Sequence, residues 1–386
     1  MDNILSSAVV DVINRQSLEK KLKSGKKLRI KFGADPSAPN LHLGHLVVLE
    51  QLRRFSEAGH KVVFLIGDFT AMIGDPTGRN KMRPQLTPEQ IKANVKTYVS
   101  QVALILDISK IEIRYNSEWL GKLKVEDWLK TMARFSVNNI LERDDFSARI
   151  KDKHSLGVHE IMYPILQAYD SVALKADVEI GGTDQRFNIL AGRELQRKLD
   201  MPPQDAVLLD LLVGTDGVKK MSKSVGNTID FTDSAENIFG KVMSIPDSAV
   251  KAYARLVLNK TLDDLQKEAG DKHPMAVKKE LARQIVEKLH HSSGQLARAH
   301  FERVVGRREA PEEIEEIVVR KELTLKDIIL KHGLVASASQ LMRLTGQKAV
   351  HIDDKVIGRG DIYLPLDRKE QVIKIGRRGY WKIIIK

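Results

Sequence analysis

The chain predicts an α/β fold: an open, doubly wound parallel sheet over residues 1–234, a helical segment, and a small α+β module at 325–386. Three observations carry this. Strand-length apolar runs alternate with amphipathic helical stretches through the first half. Strand signals vanish from about Ser234. Strand-like alternation with turn glycines returns after Leu323.

Leu28–Phe32 alternates and stops at Gly33. Leu41–Ala58 reads as a helix, with Leu46, Leu49, Leu52 and Phe55 on one face and Gly59 as its stop. Lys61–Gly67 is a continuous run rich in branched residues, the pattern of a strand covered on both faces. A glycine- and proline-punctuated loop runs from Gly67 to Arg83. The helix over Leu86–Leu106 opens on Thr87-Pro88, a cap followed by proline at the first helical position. Ile111–Tyr115 reads as a short strand. Glu126–Leu141 reads as a helix whose Trp128, Met132, Phe135 and Ile140 exceed what one sheet needs, which predicts an exposed contact patch. Val178–Ile180 and Val207–Val213 read as two further buried strands.

Val277, Leu281, Ile285 and Leu289 recur every four residues, and Pro246, Pro274 and Pro311 punctuate the region, so 235–320 is expected to be a helical domain. In the last module Ile328–His332 and Ser339–Leu344 read as short helices. Gly358, Gly360, Gly376 and Gly379 mark turns among the strands that follow.

The 386 residues are 42% hydrophobic and 30% charged, enough to bury a core without staples. There is no cysteine, which excludes disulfides, thiolate metal sites and a cysteine nucleophile. The net charge is +12, and residues 321–386 carry fourteen Lys and Arg against seven Asp and Glu, a net of +7. A polyanion partner and a merely solubilising tail explain that asymmetry equally well. The first residues lack a basic start and an apolar block, and no apolar run is long enough to span a bilayer. A soluble, cytoplasmic protein is expected, with no membrane partner.

Four clusters carry chemistry. In Asp35-Pro36-Ser37-Ala38-Pro39-Asn40-Leu41-His42-Leu43-Gly44-His45, two histidines three apart open a helix after a strand. The helix N-terminus and the imidazoles make an anion site, and Gly44 lets a ligand approach the backbone. Surface histidines capping a helix remain the plainer alternative. A zinc site would need a third ligand. In Lys219-Lys220-Met221-Ser222-Lys223-Ser224-Val225-Gly226-Asn227, lysines flank hydroxyls on a glycine-bounded loop. Such lysines can follow phosphate charge as it develops; a solvated basic loop is the alternative. In Gly181-Gly182-Thr183-Asp184-Gln185, Asp184 sits where a ribose hydroxyl is read at the carboxyl end of a sheet. Tyr163, Gln167 and Asp170 share one helix face, and a phenol, an amide and a carboxylate together line a polar pocket better than a core. No Gly-x-x-x-x-Gly-Lys-Ser/Thr loop occurs and no Gly-x-Gly-x-x-Gly follows a strand.

The His-Leu-Gly-His and Lys-Met-Ser-Lys-Ser pair resembles the two signatures of class I aminoacyl-tRNA synthetases. Gln167-Ala168-Tyr169-Asp170 and Gly181-Gly182-Thr183-Asp184-Gln185 narrow the resemblance to the bacterial tyrosine-specific family. Ser337–Leu344 with Lys348–Ile352 resembles the RNA-binding domain shared with a ribosomal small-subunit protein, so the resemblance covers essentially the whole chain.

It implies a Rossmann-like catalytic domain at 1–234 with a dimer-forming insertion at about 112–160, a tRNA anticodon-side helical domain at 235–320, and a basic RNA-binding domain at 325–386. It implies tyrosine–tRNA ligase activity, with ATP as substrate, Mg²⁺ travelling with ATP, and L-tyrosine, tRNA(Tyr) and a second copy of the chain as partners. His42, His45, Lys220 and Lys223 would meet the phosphates. Gly33, Asp35, Gly44, Gly182, Asp184 and Met221 would join Lys223 in binding ATP. Asp75, Tyr163 and Gln167 would hold the α-ammonium, Gln185 would sit near the carboxylate, and Asp170 would accept the phenol's hydrogen bond. No protein metal site is implied. The pattern departs at Lys31, where many relatives carry a tyrosine. A tryptophan-activating enzyme and a noncatalytic RNA-binding protein are the competing readings.

Overall fold

The computed structural model describes residues 4–77, 86–306, 315–319, 323–335, 337–353, 355–366, 368–376 and 379–385. Two compact units form, Met1–Gly294 and Gln295–Lys386.

The first unit is built on a six-stranded sheet. Its strands are β1 (Val9–Ile13), β2 (Arg29–Ala34), β3 (Lys61–Ile66), β4 (Glu112–Tyr115), β5 (Val178–Gly182) and β6 (Asp205–Leu209), in the order β1-β6-β5-β2-β3-β4. Five strands run parallel. β1, which the sequence reading missed, pairs antiparallel to β6, so the expected all-parallel sheet is a mixed one. β1 is only five residues long, with one buried position, too short a pattern to stand out. The crossovers from β2 travel one way to β3 and β4, and β5 leads the other way to β6. The winding therefore reverses between β2 and β5, and the carboxyl ends of those two strands open a crevice. β3 is buried along Val62–Ile66, as a strand covered on both faces must be.

The helix Leu43–Glu57 buries Leu46, Leu49, Leu52 and Phe55 on the sheet. Pro88–Val102 opens on Thr87, whose side chain caps Gln90 N while Gln90 caps back. The single helix expected over Glu126–Leu141 is two, Val125–Met132 and Val137–Leu141. Ile140 is buried, and Trp128, Met132 and Phe135 are half-buried around Phe146 and Ile165 rather than forming the exposed patch expected of them. The exposed apolar side chains nearby are instead Val125, Leu129, Val137, Ile150 and Val158. The strand expected to reach Val213 stops at Leu209.

Helices Ala235–Ser244, Asp247–Leu258, Leu262–Ala269 and Pro274–His290 belong to the first compact unit. Tyr253 donates to Val213 O at 2.9 Å, and Lys288 pairs with Glu50. Residue 234 is thus a change of secondary structure without a break in packing.

The second unit holds a five-stranded sheet of β7 (Glu315–Val319), β8 (Val350–Ile352), β9 (Lys355–Val356), β10 (Glu370–Ile375) and β11 (Gly379–Ile385), ordered β7-β11-β10-β8-β9. Helices Leu325–Lys331 and Ala338–Gly346 pack with it around Ile328, Leu341, Ile373 and Ile383. β7 lies inside the stretch expected to be helical, so this module begins upstream of 325. Among the described residues no helix is long and apolar enough to cross a membrane.

Candidate active site

A cavity of about 280 Å³ occupies the crevice at the β2–β5 reversal. Every site residue named from the sequence lines it except Lys223: Gly33, Asp35, His42, Gly44, His45, Asp75, Tyr163, Gln167, Asp170, Gly182, Asp184, Gln185, Lys220 and Met221.

The histidines are fixed by the helix they open. His42 Nδ1 accepts from Gly44 N at 3.2 Å, and His45 Nδ1 accepts from His42 N at 3.2 Å. Reciprocal capping satisfies donors at the helix start. It also assigns the tautomer: Nδ1 accepts, so the ring proton of each neutral imidazole sits on Nε2. Burial, then the Lys223 and Lys220 charges, push His42 down to about 3. Burial holds His45 well below its ordinary range too. Both rings are neutral donors at pH 7.

The loop after β6 returns to this turn. Leu43 N bonds Ile229 O at 3.0 Å and Phe231 N bonds Leu41 O at 2.9 Å, which lays the segment after the loop beside His42. Asn227 staples the loop: its amide donates to Asp216 Oδ2 at 2.7 Å and to the Lys219 and Lys220 carbonyls at 3.3 Å, and its Oδ1 accepts from Ser222 N at 2.8 Å. Gly226, just before Asn227, has φ 74°, a left-handed turn that glycine adopts without strain. Met221 is buried and anchors the loop. Lys220 pairs with Asp184. Lys223 Nζ lies 3.9 Å from Asp230 Oδ2, and partial burial lowers its pKa. A Cβ on Gly182 would meet Asp184 Oδ1 at 2.5 Å and Leu211 Cδ2 at 2.7 Å, so any larger residue would push the Asp184 and Leu211 side chains from their places.

The other end of the cavity is a connected network. Tyr163 donates to Asp35 Oδ2 at 2.9 Å, Thr70 donates to Asp35 Oδ1 at 2.7 Å, and Asn116 Nδ2 donates to Thr70 Oγ1 at 3.0 Å and Asp170 Oδ2 at 3.3 Å. Trp119 Nε1 donates to Asp170 Oδ1 at 2.8 Å. Gln185 Nε2 donates to Asp75 Oδ2 at 2.8 Å, and Gln167 Nε2 donates to Glu179 Oε1 at 3.2 Å. Burial pushes Asp170 up to about 7, opposed by the Lys31 ammonium and by the Trp119 and Asn116 bonds. Burial raises Tyr163 well above the phenol range, so it stays protonated.

Sequence reasoning missed Thr70, Asn116, Trp119 and Glu179, and it quoted Asn227 without a role. Thr70, Asn116 and Trp119 sit in loops or short helical turns, with no spacing to mark them. Glu179 did leave a signal, a lone acid inside an apolar strand.

A crevice at the switch point of a doubly wound sheet, with paired histidines on one wall and a lysine loop beside them, is the arrangement of the class I aminoacyl-tRNA synthetases. The chain belongs to the family of class I tRNA synthetases for tryptophan and tyrosine (W and Y), which matches residues 23–304. Its relatives include "Tyrosine--tRNA ligase" of Dehalococcoides mccartyi strain CBDB1, 44% identical over 100% of this chain and 98% of that protein. The Aquifex aeolicus strain VF5 protein of the same name is 42% identical over 99% and 97%. Among solved structures, a C-terminally truncated Coccidioides posadasii mitochondrial tyrosyl-tRNA synthetase is similar at a TM-score of 0.62 and 25% identity, covering 76% of this chain and 88% of that one. An Archaeoglobus fulgidus tyrosyl-tRNA synthetase complexed with L-tyrosine shares the fold at a TM-score of 0.63 and 23% identity, over 77% of this chain and 98% of that one.

Proposed function

We infer that the protein is a tyrosine–tRNA ligase, which activates L-tyrosine with ATP and transfers it to the 3′ end of tRNA(Tyr) in the cytoplasm. The observation that carries this reading is that one cavity is lined at one end by Asp170, Tyr163 and Gln167, groups suited to an amino acid with a phenol, and at the other by His42, His45 and Lys220, groups suited to phosphates.

The chemistry follows from charge. The amino acid's α-carboxylate is ionised at neutral pH, so activation needs no general base. A carboxylate oxygen attacks the α-phosphorus of ATP. The new O–P bond forms as the bond to the bridging oxygen breaks, and pyrophosphate leaves with that electron pair. The protein's share is positioning and meeting the charge that grows on phosphorus and pyrophosphate. Neutral histidines do this with Nε2–H donors, adding no fixed charge, while Lys220 and Lys223 bring cations on a loop. Asp184 and Gly182 read the ribose, and Gly33, Asp35, Gly44 and Met221 line the nucleotide's path. Asp75, Tyr163 and Gln167 hold the α-ammonium: Gln167 Oε1 is uncommitted among the described residues, and Asp75 turns a carboxylate into the cavity. Gln185, bonded to Asp75, faces the substrate carboxylate, and Asp170 accepts the phenol hydrogen. Mg²⁺ would arrive on ATP's own phosphates and help neutralise them. In the second step a ribose hydroxyl of the tRNA attacks the activated carbonyl and AMP leaves.

ATP–pyrophosphate exchange measured across the amino acids tests the reading. Tyrosine is expected to drive exchange; exchange driven by tryptophan instead, or none, overturns it. The +7 tail is proposed to bind tRNA through phosphates. Ending the chain before Glu315 should spare exchange and cut tRNA charging. The exposed Val125, Leu129, Val137 and Val158 are proposed to lie in a homodimer contact within 112–160, which sedimentation at micromolar concentration checks.

A further inference from the structure

Two opposite charges lie inside neighbouring core strands of the first sheet. Lys31 in β2 and Glu179 in β5 are register partners, 1% and 2% exposed. Lys31 Nζ lies 2.9 Å from Glu179 Oε1 and donates to Ser171 Oγ at 2.8 Å and to the Gln167 main-chain carbonyl at 3.2 Å. Glu179 accepts from Ser171 Oγ at 3.0 Å, from Gln167 Nε2 at 3.2 Å and from Gln204 Nε2. Every charge is met, so the pair is tolerated in the core. A sheet does not need such a pair, since well-packed apolar side chains of similar volume are often as stable or more so. What distinguishes this one is its place: Lys31, Glu179, Gln167 and Asp170 line the same cavity.

We propose that the Lys31–Glu179 pair is a positioning and specificity device for the amino-acid end of the site: it clamps Gln167 by both its carbonyl and its amide and sets a cation in the lining of the same cavity as Asp170, the acceptor of a phenolic O–H. The proposal rests on the tyrosine reading above. Gln167 cannot turn its amide over while Glu179 accepts from its nitrogen, because the flip would set Oε1 against the Glu179 carboxylate; Lys31 meanwhile holds the Gln167 main chain. Asp170 is buried, and burial favours its protonated form. Lys31 is the strongest influence against that, and Glu179 acts the other way and more weakly. Tyr163 on the same helix, Asp35 beyond β2 and Asp75 complete the titratable groups around this end. An ionised Asp170 binds tyrosine's hydroxyl and leaves its own charge short of a partner when phenylalanine enters. A protonated Asp170 loses that penalty.

The test compares tyrosine and phenylalanine kcat/KM for pyrophosphate exchange from pH 6 to 9, using full-length protein. Wild type answers only for the substrate reading: preference for tyrosine supports it, and its absence overturns that reading and not the pair. Lys31→Met/Glu179→Gln removes both charges at similar volume. It should lower the tyrosine-over-phenylalanine ratio about tenfold or more, through tyrosine KM rather than kcat. It should also move the acidic limb of the tyrosine profile to higher pH, because the larger, lowering influence on Asp170 is gone. Ser171→Ala trims the one hydroxyl shared by both partners and decides the matter even where the double variant does not fold. It should shift ratio and limb in the same directions, about threefold in the ratio. A Ser171→Ala protein with the wild-type ratio and limb overturns the proposal, as does a folded double variant with both unchanged.

Discussion

The two ends of the cavity are built on opposite principles. At the amino-acid end Asp170 is buried and bonded to Trp119 and Asn116, and Lys31 is paired in the core. At the end proposed to take the phosphates the cations ride a loop: the Lys220 side chain is 52% exposed, and Lys223 stands 3.9 Å from Asp230. Selecting a hydroxyl requires acceptors that cannot relax toward the wrong substrate, because discrimination comes from a partner left unmet. Meeting charge that exists only in the transition state requires groups whose best contact comes later. Rigidity belongs to the first task and latitude to the second.

Breaking the phosphate end gives the largest expected effect. Lys223→Ala should slow adenylate formation about 10²–10³-fold while leaving tyrosine affinity within about threefold. Single-turnover kinetics with equilibrium dialysis would show it; equal losses in both would mean the ends are not separable. Breaking the other end, Asp170→Ala should lower the tyrosine-over-phenylalanine ratio about tenfold to a hundredfold. An unchanged ratio in steady-state exchange would remove Asp170 from hydroxyl reading. Asn227→Ala sharpens the contrast by loosening the loop without touching its lysines, and should slow activation about tenfold with tyrosine binding intact. The smallest effect is on stability. His42 is held at about 3 against an ordinary 6.5, so the stability tied to its neutral form is full above pH 6.5 and is lost as pH falls toward 3. His42→Asn should therefore flatten the fall in melting temperature between pH 6.5 and 4, by about 2–4 °C per kcal/mol recovered. Parallel curves for the two proteins would show that His42 is not buried neutral.

The sequence carried the wound sheet and the cavity's residues because both rest on local pattern. β3 is a continuous apolar run, and His42 and His45 share a face because three residues separate them. β1 and β7 were illegible for one reason: each is a five-residue strand defined by a partner far along the chain. The break at Ala133–Ser136 splits a continuous apolar face without any glycine or proline to announce it. Glu179 was legible only as half of a pair, since a lone acid in an apolar strand gains meaning once β5 is known to lie beside β2.

The placement of β7 has a consequence for how the protein is made. β7 pairs in parallel with β11, residue Glu315 against Trp381, and every other strand of that sheet is synthesised between them. The module therefore closes at its outer edge on a partner that is translated 66 residues later. A ribosome that has delivered β7 and both helices has delivered an unpaired edge, and the sheet cannot be completed until β11 leaves the exit tunnel. Long-range pairing of this kind is slow. The six described strands of the first unit's sheet pair with one another, so on a translating ribosome that sheet can assemble while the basic module is still waiting for its last strand.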